Sequence, residues 1–73
     1  MKVNERPRYR LRFEQVEIGV AETPEKAIED MRQVMGFEAY VYGYLKINRF
    51  DVYDVKTDCV IARSRDYDPL PIV

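Results

Sequence analysis

The chain has no histidine, no tryptophan, one cysteine and three glycines among its 73 residues. Without histidine there is no imidazole to activate a nucleophile, to move a proton near neutral pH or to ligate a metal. A single cysteine excludes an internal disulfide framework and suits a reducing compartment. Gly19, Gly36 and Gly43 are isolated, so no glycine-rich loop is available to cradle a phosphate. No apolar run approaches the ~20 residues of a membrane span, and the opening Met1-Lys2-Val3-Asn4-Glu5-Arg6 has no apolar signal core. These absences predict a complete small cytoplasmic protein that is not an enzyme. It is expected to have no metal, no cofactor, no membrane association and no small-molecule substrate.

A dominant charge is also lacking, since 12 basic and 13 acidic side chains leave a net charge of −1. The balance hides an asymmetry. Residues 1–12 carry Lys2, Arg6, Arg8, Arg10 and Arg12 against Glu5 alone, and the rest of the chain is acidic overall. A uniformly basic nucleic-acid binder is thereby excluded, while a local basic stripe is not. Cys59 lies among Val60, Ile61 and Ala62 and reads as a buried or half-buried inert thiol. Asp66 and Asp68 fall in a Pro-containing tail, a poor place to preorganise acid–base catalysis.

A chain this short buries only about 60% of the surface it exposes when unfolded, so its core must be one thin layer, most economically a helix on a sheet. Tyr9, Leu11 and Phe13 alternate with Arg8, Arg10 and Arg12, a strand pattern. Val16, Ile18 and Val20 alternate with switched parity, which predicts a tight turn or a bulge at Glu14-Gln15. A hairpin is expected there, because one strand over residues 8–21 would run roughly 45 Å. Thr23-Pro24 is a helix start, a hydroxyl cap followed by proline at the first position. Ala27, Ile28, Met31, Val34 and Met35 form one apolar stripe, and Gly36 reads as the terminator.

The segment Phe37–Ile47 places Tyr40, Tyr42 and Tyr44 at alternate positions and is read as a strand. Asn48-Arg49 then turns into a strand Phe50–Val55, with Ile47 opposite Phe50, Lys46 opposite Asp51, Leu45 opposite Val52 and Tyr44 opposite Tyr53. A further strand Cys59–Arg63 sets Tyr53 against Ile61 and Asp51 against Arg63. Gly43 reads as a bulge or a close backbone approach. The expected fold is α+β: an N-terminal hairpin, one helix and a three-stranded antiparallel meander, with the helix on one face. Residues 1–65 would form the compact domain and 66–73 an extended tail, loosely held.

The face opposite the helix then holds Tyr40, Tyr42, Tyr44, Tyr53 and Ile61, framed by Arg8, Arg10 and Arg12. These are the candidate binding residues. A tyrosine ladder on a solvated sheet face needs no partner. Four tyrosines with Val55 and Ile61 nevertheless approach the apolar area that monomers leave exposed, and Tyr and Arg are the residues of binding hot spots. A protein partner or a homodimer is therefore the expected role. The alternative is single-stranded RNA or DNA stacked on the same aromatic and basic face. The hairpin–helix–meander layout is similar to that of several small phage-encoded inhibitors of host systems, a resemblance without a shared motif that implies a non-enzymatic binding role.

Overall fold

A computed structural model describes residues 7–43 and 47–71. Strands β1 (Tyr9–Phe13) and β2 (Val16–Ala21) are followed by helix α1 (Pro24–Tyr42), strands β3 (Phe50–Asp54) and β4 (Cys59–Arg63), with short 3-10 turns at Ile47–Arg49 and Ser64–Asp66. The four strands form one antiparallel sheet in the order β2-β1-β3-β4, and α1 packs on one face. The α+β class, the N-terminal hairpin and the helix on the sheet are as the sequence predicts.

Glu14 and Gln15 make the hairpin turn with φ of 51° and 73°. Two successive left-handed residues twist the chain in the sense that matches right-handed strands. The parity switch is absorbed within the pairing: Leu11 faces Gly19 and Arg12 faces Glu17, leaving Ile18 as the extra residue of a bulge. The Thr23 hydroxyl accepts a hydrogen bond from the Lys26 N–H at 3.1 Å, and Pro24 opens α1.

The tyrosine strand is not formed. Residues 37–42 continue α1, so Tyr40 and Tyr42 lie on a helix and Gly36 lies inside it. Tyr44, Leu45 and Lys46 fall outside the described residues. Extending an existing helix adds one hydrogen bond per residue fixed, whereas a new strand needs a free sheet edge beside it. Beside β3 that edge is already taken. β1 occupies it, with Phe13 opposite Phe50, Arg12 opposite Asp51, Leu11 opposite Val52 and Arg10 opposite Tyr53. These are the slots expected for Ile47, Lys46, Leu45 and Tyr44. An apolar, basic, apolar sequence recurs in both segments, and the arginine version makes a bidentate pair with Asp51 that lysine cannot. The expected three-stranded meander is thus a β3–β4 hairpin joined to β1. Its register matches expectation at Asp51–Arg63, but a bulge after Val52 sets Tyr53 against Val60 instead of Ile61.

Gly43 is the true terminator of α1. It has φ of 80°, and its N–H bonds the Ala39 carbonyl. Gly36 serves close approach instead: a Cβ there would collide with the Leu70 carbonyl oxygen. The segment after β4 lies across the helix, where the Leu70 N–H donates to the Arg32 carbonyl and Arg32 Nε donates to the Asp68 carbonyl. The core is formed by Tyr9, Leu11, Phe50, Val52 and Ala62 of the sheet against Ala27, Met31 and Met35 of α1, with Ile47 closing one end. Phe13 and Phe50 meet at 4.9 Å between ring centroids.

Candidate functional site

The expected tyrosine and arginine face is divided between two elements. On the sheet, Arg10, Arg12, Tyr53 and Ile61 remain together on or beside the face turned away from α1. Cross-strand neighbours there alternate in charge: Glu17, Arg12, Asp51 and Arg63 run across all four strands. Arg12 makes two bonds to Asp51, at 2.7 and 3.1 Å, and its guanidinium lies 4.5 Å from the centroid of the Tyr53 ring. Tyr53 donates its hydroxyl proton to Asp58. Arg10 bonds the Pro7 carbonyl and Glu17. Arg10 and Arg12 are thus engaged by carboxylates and only 14% and 19% exposed at their side chains, whereas Arg63 is exposed.

Arg8 is spent in a different way. Its Nε and Nη2 each lie 2.8 Å from a carboxylate oxygen of Asp54. Asp54 is itself buried and also accepts the Lys56 N–H at 2.9 Å. The hydrogen bonds from Arg8 hold its carboxyl far below the ordinary carboxylate range, with the Lys56 N–H and the Thr57 side chain adding to the effect against the cost of desolvation.

Tyr40 and Tyr42 take a separate position on the last turns of α1, where they are 75% and 66% exposed. Phe37 and Val41 are exposed beside Tyr40 at 57% and 46%. Successive helical residues turn by about 100°, so Phe37, Tyr40 and Val41 span only about 100° of the circumference, away from the Ala27–Met31–Met35 stripe. The period-two aromatics hide this relation. Read with helical period, Phe37, Tyr40 and Val41 are spaced i, i+3 and i+4, which is the signal that identifies them.

The hairpin turn, the Ile47–Arg49 turn and the end of β4 enclose an open cleft of about 400 Å³, lined by Glu14, Gln15, Asn48, Arg49, Phe50, Asp51, Arg63 and Arg65. Cys59 is exposed rather than buried, with Sγ 3.3 Å from the Thr57 carbonyl. Among the described residues, no cluster of three cysteine, aspartate or glutamate side chains is arranged to hold a metal ion, and no helix is long and apolar enough to cross a membrane. No protein-family model, curated protein or solved structure matches the chain.

Proposed function

We propose that the chain is a non-enzymatic protein-binding module whose contact surface is the aromatic end of α1. One observation carries this reading: three large apolar side chains, Phe37, Tyr40 and Val41, are exposed together on one side of the last turns of α1. At ~150–250 Å² for a whole aromatic side chain, these fractions leave on the order of 350 Å² of largely apolar surface in water. That is the size of the largest apolar patch on a typical monomer, about 300–600 Å², which is often a functional surface. The i, i+3, i+4 spacing is the one with which a helix inserts anchors into a partner's hydrophobic groove.

Magnitude separates a partner from a second copy. Two such patches pressed together would bury roughly 700 Å² in total, well short of the ~1,200–2,000 Å² of a stable interface. A groove that wraps the ridge buries more of the partner for the same helix. Single-stranded nucleic acid would require free cations beside the stacking rings. The ion pairs of Arg8, Arg10 and Arg12 therefore favour the protein partner.

The test is quantitative binding to a protein captured from extract of the source cells. Phe37→Ala combined with Tyr40→Ala should weaken that binding by about thirtyfold, as expected for hot-spot anchors, with unchanged circular dichroism. Arg12→Ala should leave the affinity within about twofold once corrected for the folded fraction. The reverse ranking would place the surface on the sheet.

A further inference from the structure

We propose that the cleft between the hairpin turn and the end of β4 binds a dianionic phosphate group through Arg63 and Arg65, with Arg49 beside them. The seven basic side chains beyond residue 12 are scattered over the sequence, and three of them line this one cleft. They come from three different elements: Arg49 from the turn before β3, Arg63 from the last position of β4 and Arg65 from the turn that follows.

The carboxylates in the same wall are already neutralised. Glu14 pairs with Arg49, and its N–H bonds the Arg49 carbonyl, which ties the hairpin turn to the rim. Asp51 pairs with Arg12 from the neighbouring strand. Among the described residues, Arg63 and Arg65 are exposed and have no hydrogen-bond or ion-pair partner. Two guanidinium groups are thus left unbalanced at one place in a chain of net charge −1.

Charge matching selects the ligand class. A phosphate monoester carries about −1.5 to −2 near neutral pH, which balances two guanidiniums, whereas one carboxylate or one phosphodiester balances only half. Guanidinium forks bind phosphate oxygens two at a time. Asn48 and Gln15 on the rim add neutral polar groups, and ~300 Å³ or more is the ordinary scale of a small-molecule site. Because the cleft is open and its arginines are hydrated, the affinity expected is modest and salt-dependent.

The experiment is an amide chemical-shift titration of the whole chain at low ionic strength and slightly alkaline pH. The probes are inorganic phosphate, the monoanionic diester dimethyl phosphate, and chloride at matched ionic strength. Phosphate is expected to give saturable shifts at Asn48, Arg49, Arg63, Ser64 and Arg65, with millimolar affinity. Dimethyl phosphate should bind about tenfold more weakly. Arg63→Gln with Arg65→Gln should weaken phosphate binding by about tenfold or more while the Met31 and Val52 amides stay in place. Shifts no larger than those from chloride, shifts that persist in the double variant, or equal affinity for the diester would each overturn the proposal. Because Phe37 and Tyr40 line no part of the cleft, this result is independent of the α1 surface.

Discussion

At the scale of single residues, Gly36 shows how one identity supports two opposite predictions. On an exposed helix, glycine to alanine gains up to about 1 kcal/mol of helix propensity. Here the new methyl would meet the Leu70 carbonyl, so Gly36→Ala should instead lower stability by about 1–3 kcal/mol in urea unfolding, as overpacking does. A gain in stability would mean that the segment after β4 does not lie on α1. Ser64 is the other small residue that matters. It is fully buried, and its hydroxyl accepts the Phe50 N–H at 3.1 Å. Ser64→Ala should cost about 1–3 kcal/mol by leaving that donor buried without a partner, and the same unfolding measurement checks it.

Asp54 supplies the pH dependence. Its folded carboxyl is held below the ~3.9 of an unfolded aspartate, chiefly by Arg8. A depressed carboxylate stabilises the fold fully above the unfolded value, and that contribution is lost as pH falls through the folded one. Melting temperature should therefore fall on acidification below about pH 4. Asp54→Asn should lower it at neutral pH and flatten that acid limb. An acid limb that is the same in both proteins would assign the effect to other carboxylates.

At the scale of elements, local signals carried most of the fold. Thr23-Pro24 and the spacing of Ala27, Met31 and Met35 specify the start and buried face of α1, and the alternation around Leu11 and Val52 specifies the central strands. The end of α1 was not legible, for two physical reasons. Tyr40, Tyr42 and Tyr44 alternate as a strand does, yet Phe37, Tyr40 and Val41 also satisfy the helical period. Gly36 and Gly43 are interchangeable as terminators until the position of Leu70 is known. The partner of β3 was ambiguous in the same way, because pairing with Asp51 and Val52 is satisfied chemically by either of two segments. The candidate site followed that choice: Tyr53, Arg10 and Arg12 stayed on the sheet, and Tyr40 and Tyr42 left it. The hairpin turn remains improvable. Gln15 holds φ of 73° with a side chain that disfavours it, so Gln15→Gly should raise stability by about 0.5–1 kcal/mol. A loss of stability would show that the Gln15 side chain makes a contribution larger than its backbone strain.

At the scale of the whole molecule, apolar surface is distributed unevenly. Val16, Ile18 and Val20 are exposed on edge strand β2, where the bulge at Ile18 and the charge of Glu17 interrupt a regular edge and discourage strand addition. On α1 nothing comparable interrupts Phe37, Tyr40 and Val41. The sheet side of the domain therefore carries the paired Arg10 and Arg12 and a blunted edge, and the end of the helix carries unprotected anchors. This contrast is the central claim, and site-specific photo-crosslinking in the source cells addresses it directly. A photoreactive phenylalanine analogue placed at position 37 or 40 should give a discrete adduct with a partner protein, and the same analogue at position 53 or 61 should give none. Adducts formed from the sheet positions, with positions 37 and 40 silent, would contradict it.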